Sequence, residues 1–461
     1  MTLIMDGAMA QPAAALRRPL PPGPRGLSAL TNVLAFGKDW NKFLLRCQRE
    51  YGDVVFFRFL NLPLCLVAHP DAIEYILVKN AANLEKSRDY RALRALLGNG
   101  LLTSEGNFWQ RQRKLIQPAF RHENILSYAK LMTEAAGAMV EQWRDGETRD
   151  VHEDFMGVTL EIVAKSLFGS DVSQDTRGVG QAVNTVMNLF IDQANWAFLL
   201  PESLPIPKSA RLRKAIDHLN GVIHGIIRAR RAHPKPANDL LQTLLDMRDE
   251  SGAAMSDEQL RDEVMTLFLA GHETTANSIT WTMRLLAENP KKEAALHAEL
   301  RAVLHGRAPV AGDLPQLTYT EMVVKEALRL YPPAWGIGRR ALEEFELAGY
   351  RIPAGTNLFM LQWITQRDAR FFLDPERFEP ERWQEDPTRT GKLPRFAYFP
   401  FGGGPRVCVG AGFAMMEAML LLATFAQRFR FELVPGQDLT PLFSVTLRPK
   451  HGLKMLLHRQ P

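Results

Sequence analysis

Residues 401–410 read Phe401-Gly402-Gly403-Gly404-Pro405-Arg406-Val407-Cys408-Val409-Gly410. Three consecutive glycines permit a tight loop with backbone angles that other residues avoid. The loop presents Cys408 just ahead of Ala411–Phe429, a long apolar stretch that reads as a helix. Unpaired amides and the dipole at a helix start favour an anionic thiolate there. The plainer alternative is a glycine-rich turn with an incidental cysteine. The other two cysteines differ in setting: Cys47 stands in a helical stretch and Cys65 in an apolar, strand-like run. Buried, inert thiols are common in such places. Three cysteines in 461 residues imply no disulfide framework, and a reducing compartment fits.

Upstream of the loop, two helices stand out. Thr320–Tyr331 ends at Pro332-Pro333 and carries Glu326 and Arg329 three apart, on one face, able to pair or jointly grip a neighbouring backbone. Taken alone, that spacing is an ordinary surface ion pair. The second helix opens at Ser256-Asp257-Glu258-Gln259, a capping-box pattern with acidic residues in its first turn. Apolar residues recur at Leu260, Val264, Leu267 and Phe268, and nothing stops the helix before Pro290, a length of about 45 Å. In its middle stands Ala270-Gly271-His272-Glu273-Thr274-Thr275. An interior glycine costs about 1 kcal/mol against alanine. Either a neighbouring helix packs closely at Gly271, or backbone must approach a flat ligand, with Glu273 and Thr274 delivering protons.

At roughly 150 residues per domain the length suggests about three domains. The chain contains no internal repeat and no flexible linker, so one domain over 21–461 is expected, after a loose tail at 1–20 that ends in the stiff Pro19–Pro24. Strands are expected at Asp53–Phe59 and Leu64–Ala68, then near Phe345–Ile352 and Thr356–Gln362; residues 107–330 are mostly helical. The net charge is +5, from 56 basic and 51 acidic residues. The basic runs Arg111–Lys114 and Arg228–Arg231 lack the stacking aromatics of a nucleic-acid groove, so no nucleic-acid partner is expected. No uncharged run is long enough to span a membrane, and neither a secretory nor a twin-arginine signal is expected from the residues before Pro24. A cytoplasmic protein is expected. Other motifs fail: Ala276 stands where a zincin needs its second histidine, Gly178-x-Gly180 lacks the third glycine of a dinucleotide fingerprint, and no Lys-Ser/Thr follows Gly402–Gly404.

The loop resembles the cysteine-ligand loop of the cytochrome P-450 family, the heme-thiolate monooxygenases, and further family motifs precede it in order. They are Trp109…Arg113, Ala270–Thr275, Glu326…Arg329 and Pro375-Glu376-Arg377-Phe378. The resemblance implies a mainly α fold with small β-sheets, a helical prism around a buried heme b whose axial ligand is the Cys408 thiolate. A thiolate ligand pushes electron density onto iron. By the same resemblance Trp109, Arg113, Ala270, Gly271, Arg339, Phe401, Arg406 and Gly410 contact the cofactor, the arginines and the Trp109 indole N–H meeting its propionates. Thr274 and Glu273 match the alcohol–acid pair of proton delivery, and Glu326, Arg329 and Arg377 match a buried structural triad.

Gly100–Ser104 resembles the loop ahead of the Trp-x-x-x-Arg helix in bacterial fatty-acid hydroxylases. This implies a pocket lined by Leu101, Leu102, Phe268, Ala270, Ala334 and Val445, for a lipophile: a fatty acid ahead of a terpenoid or steroid. Arg88 and Arg91 are candidates to pair with a substrate carboxylate. The implied reaction is hydroxylation or epoxidation with O₂. With no fused flavin or nicotinamide motif, electrons are expected from a ferredoxin or flavodoxin and its NAD(P)H-dependent reductase, steered by Arg111 and Lys114 to a monomer. A peroxygenase, an isomerase and a non-catalytic heme sensor are the rivals; the intact Glu273–Thr274 pair argues against each.

Overall fold

Ser256 caps the long helix as its sequence predicts: its side chain accepts from the Gln259 amide at 3.2 Å. In a computed structural model, which describes residues 18–24, 40–59, 62–169, 176–200, 204–232, 239–249, 252–388 and 390–460, this helix runs Asp257–Glu288. Its 32 residues span about 48 Å. Nearly every side chain from Leu260 to Leu286 is buried, polar ones included, so the helix is the axle of the molecule. Val151–Phe168 packs along it, and a Cβ on Gly271 would lie 2.9 Å from Val163 Cγ2, so a larger residue there would force Val163 to shift.

Thr318–Leu330 and Ala411–Arg428 also pack against the axle. The second of these is buried from Met416 through Ala426, which is why its sequence reads apolar all round. Thr176–Leu199 packs against Ala210–Ala232 and Tyr90–Leu97, and Ala210–Ala232 packs against the axle.

The main sheet is built from β1 (Val54–Phe59), β2 (Leu62–Val67), β3 (Leu84–Lys86), β4 (Ile337–Ala341) and β5 (Asn357–Met360). Its order is β1-β2-β5-β4-β3, with β2 and β5 parallel and the other pairs antiparallel. Asn357 pairs with Leu64 on one side and with Arg340 on the other, so one short strand joins the N-terminal hairpin to β4. Residues 18–24 are fixed to the sheet region rather than loose. Arg18 pairs with Glu346 at 2.5 Å, and the Pro19 and Pro22 carbonyls accept from the Arg351 and Phe56 amides. Residues 1–17 of the expected tail lie outside the described residues.

A C-terminal hairpin, Pro441–Phe443 with Leu447–Pro449, returns to the centre. The Trp281 indole donates to the Leu447 carbonyl at 3.0 Å, and the Leu447 amide to the Pro333 carbonyl at 2.9 Å. These bonds anchor the hairpin tip, Ser444–Thr446, beside the middle of the long helix.

Candidate active site

Three elements meet at a cavity of about 860 Å³: the middle of the long helix, the cysteine loop and the hairpin tip. The loop folds as its glycines require. Gly402 and Gly404 adopt φ of 72° and 66°, and a Cβ on Gly404 would sit 1.8 Å from the Leu77 carbonyl oxygen. The Cys408 amide donates back to the Phe401 carbonyl at 2.9 Å. Cys408 has free surface, but it opens into the cavity deep inside the protein. Burial pushes its thiol up, while the Gly410 amide and the Arg113 charge pull it down. The helix-start argument from sequence named only one side of that balance. Cys47 and Cys65 are buried; burial pushes Cys47 up to about 11 and Cys65 higher still, as inert core thiols.

Cations gather along one wall. Arg113 Nη1 donates to the Val407 carbonyl at 2.7 Å, which ties the Trp109 helix to the cysteine loop. Arg406 donates to the Ser104 carbonyl at 3.1 Å, pairs with Glu105, and lays its guanidinium 4.2 Å from the Trp109 ring centre. Arg339 is buried on β4, held by the Gly338 carbonyl at 2.8 Å. Lys86, next to it across the β3–β4 pairing, also lines the cavity and lies 4.6 Å from the Tyr90 ring centre. Burial, then repulsion from Arg339 and Arg406, hold its ammonium well below its ordinary value. No motif marks Lys86 in the sequence; only the sheet register brings it here.

On the long helix, Thr274 Oγ1 donates to the Ala270 carbonyl at 2.6 Å, and both residues line the cavity with Gly271 and Glu273. Glu273 is 1% exposed. Burial pushes its carboxyl up, opposed by the Arg448 charge 3.9 Å away and by the Thr446 hydroxyl. Leu101, Leu102, Ala334 and Val445 line the cavity where expected, as do Phe401 and Gly410.

Several expectations are corrected. Phe268 does not line the cavity; it is buried on the other face of the helix, its ring 6.5 Å from His272. At 100° per residue it points about 200° away from Ala270, a phase the sequence already contained. Arg377 is not in the buried triad. Its side chain is 65% exposed and pairs with Glu379, and only its carbonyl accepts from Arg329. Arg382 takes the place: its Nε donates to Glu326 Oε1 at 2.9 Å. Arg88 and Arg91 donate to the Leu200 and Leu204 carbonyls beyond helix Thr176–Leu199 and do not reach into the cavity. Arg111 is engaged by Asp249 at 2.7 Å, which offsets its charge.

Residues 21–457 match the family description "Cytochrome P450". The chain belongs to the cytochrome P450 family. It is 36% identical to cyclooctatin synthase of Streptomyces melanosporofaciens over 91% of each chain. It is 34% identical to pentalenene oxygenase of Streptomyces avermitilis, covering 88% of this chain and 90% of that one. The structure superimposes on retinoic acid-bound cyanobacterial CYP120A1 with a TM-score of 0.85 at 28% identity, across 96% of this chain and all of the other. It is a cytochrome P450 monooxygenase for a lipophilic substrate.

The family and fold imply heme-thiolate iron binding, and the cavity of this P450 fits such a group. Among the described residues no three His, Cys, Asp or Glu side chains are grouped to hold a metal ion. Cys408 offers one sulfur. Arg113, Arg339 and Arg406 line the same cavity, guanidinium donors suited to carboxylate groups, with Lys86 beside Arg339 as a further donor. Among the described residues no helix is long and apolar enough to cross a membrane.

Proposed function

We propose that this P450 hydroxylates or epoxidises a terpenoid-class lipophile, with heme b bound through the Cys408 thiolate. The observation that carries the proposal is that Cys408, Thr274, Glu273 and an apolar roof all line one cavity, with the Glu273 carboxyl oxygens themselves buried beside it. When bound, the heme supplies O₂ activation, and the cysteine sulfur makes it electron-rich. The remaining work falls to the chain. Arg113, Arg339, Arg406 and Lys86 hold the propionates, and Trp109 stacks under Arg406. Phe401 covers the sulfur side. Burial pushes the Glu273 carboxyl up, and the Thr274 hydroxyl stands one residue along on the cavity side; these two are the groups assigned to proton delivery. Leu93, Leu97, Leu101, Leu102 and Val445 exclude water from the reacting carbon.

The substrate class rests on two points. The relatives named above are terpenoid-oxidising enzymes. The cavity's cations also cluster at the Arg339 wall, and Arg88 and Arg91 are turned to backbone carbonyls, so among the described residues the roof offers a fatty-acid carboxylate no ready partner. Electrons come from a separate ferredoxin or flavodoxin with its NAD(P)H-dependent reductase, to a monomeric cytoplasmic enzyme.

A binding screen read by the heme absorption shift tests the substrate class. Cyclic terpenoids are expected to bind more tightly than straight-chain fatty acids, and the reverse order overturns the assignment. The reduced, carbon monoxide-bound protein is expected to show the band that gives the family its name. Cys408→His abolishes that band, whereas Cys47→Ala and Cys65→Ala keep it; a band surviving in Cys408→His rejects the ligand.

A further inference from the structure

The segment that roofs the cavity is held by two consecutive acidic residues of the long helix. Asp262 Oδ2 accepts from the Asn99 amide at 2.7 Å, and Glu263 Oε2 accepts from the Leu101 amide at 2.8 Å. Alternate amides of the segment are thus gripped by neighbouring carboxyls. The glycines between them allow the approach. A Cβ on Gly98, whose φ is +53°, would lie 2.2 Å from the Asp262 carboxylate oxygens, and one on Gly100 would lie 2.2 Å from Thr266 Oγ1. The segment then closes on itself. The Thr103 hydroxyl donates to the Gly98 carbonyl at 2.8 Å, and the Ser104 amide to the Gly100 carbonyl at 2.9 Å.

Glu263 is fully buried, and its Oε1 has no hydrogen-bond partner. Leaving a buried polar atom unmet destabilises the fold. The bond that Glu263 does make is to the roof. Asp262 carries the grip further: Arg261 Nη1 donates to its Oδ1 at 2.7 Å, and Arg261 Nε donates to Asn220 Oδ1 at 2.9 Å on helix Ala210–Ala232. Roof, axle and overlying helix are thereby joined at one point. That point lies 11 residues before Thr274, about 16 Å along the axis, clear of the proton-handling groups.

We propose that Asp262 and Glu263 are positioning residues for substrate discrimination: they fix Leu101 and Leu102 at a set depth in the cavity, so that the roof is preformed and does not adapt to each ligand. The proposal rests on the P450 reading but not on the substrate class, because its test uses synthetic probes.

On the heme-loaded protein, dissociation constants are measured for imidazole and for N-tritylimidazole, which share a ligating nitrogen but differ in bulk beneath the roof. Amide hydrogen exchange over residues 99–102 is followed in parallel. Glu263→Ala is expected to change the ratio of the two constants, and the exchange rate, by roughly tenfold, the scale of one lost hydrogen bond to a carboxyl group. Glu263→Gln keeps an acceptor and is expected to stay within about twofold of the parent on both readouts. Gly100→Ala pushes the segment away from the Thr266 hydroxyl and the Asp262 backbone carbonyl without meeting either side-chain carboxyl and is expected to reproduce the Glu263→Ala result. It decides the matter alone if Glu263→Ala does not take up heme. An unchanged ratio and unchanged exchange in the alanine variants overturns the proposal, as does a Glu263→Gln protein that moves as far as Glu263→Ala.

Discussion

Replacing Arg382 and Arg377 separately by alanine tests which arginine supports the core beneath the cysteine loop. Glu326 is fully buried and accepts from Arg329 Nε and Nη2, Arg382 Nε, the Trp383 indole and the Glu379 amide, all within 3.0 Å. Arg382→Ala removes one charge-assisted bond to that carboxylate and a second bond to the Leu373 carbonyl at 3.2 Å. A hydrogen bond to a charged group contributes about 1.5–3 kcal/mol. With four donors left on Glu326, the expected loss is about 2–3 kcal/mol. Arg377 is 65% exposed, and its pair with Glu379 is of the surface kind, worth about 0–1 kcal/mol. Its carbonyl, which accepts from Arg329, survives the substitution. At about 2 cal/mol/K per residue, unfolding a chain of this length has an entropy near 1 kcal/mol/K, so Tm falls by about 2–3 °C for Arg382→Ala and by under about 1 °C for Arg377→Ala. The assay is a thermal scan of the heme-loaded proteins at a fixed rate, with loss of the carbon monoxide band as a second probe. Equal losses in the two variants, or a larger one for Arg377→Ala, refute the reasoning.

Thr274→Ala is expected to keep substrate affinity while more of the reducing equivalents end as peroxide; an unchanged ratio of product to electrons removes Thr274 from proton delivery. Burial pushes the Glu417 carboxyl up to about 8, with the Thr275 hydroxyl opposing. An unfolded glutamate titrates near about 4.3, so the stability tied to the neutral form is complete below that pH and is lost as pH rises through about 8. Glu417→Gln does not titrate, so its Tm is expected to gain on the parent steadily from pH 5 to pH 8; parallel pH profiles reject a neutral Glu417. Leu102→Phe narrows the roof and is expected to weaken spectral binding of ring-shaped ligands more than of linear ones, and equal effects on both remove Leu102 from the cavity wall.

The two arginines also show where sequence reading stops. Pro375-Glu376-Arg377-Phe378 and Pro380-Glu381-Arg382-Trp383 are near-copies five residues apart. Either fits the family pattern, and nothing local separates them. The choice is made by the docking of the second copy's short 3₁₀ turn, Pro380–Trp383, against helix Thr318–Leu330, which aims Arg382 and Trp383 at Glu326. Phe268 is a different kind of miss. Its helical phase relative to Thr274 was available in the sequence, and counting from the proton pair would have placed Leu267, Ala270 and Gly271 on the cavity face instead.

What the sequence determined by itself is what short-range spacing can encode. Three glycines bend a loop, a Ser-x-x-Gln start caps a helix, and Cys408 follows at a fixed distance from Phe401; each depends on residues within one or two turns. Tertiary structure alone decided what depends on two distant segments meeting. The register of β3 on β4 sets Lys86 beside Arg339. The Leu200 and Leu204 carbonyls draw Arg88 and Arg91 away from the cavity. The grip of Asp262 and Glu263 on Asn99 and Leu101 joins residues more than 160 positions apart. A lone acidic pair on a helix is indistinguishable from a solvated face until the fold buries it. Burial makes a carboxylate's partners matter, and burial is a property of the whole chain.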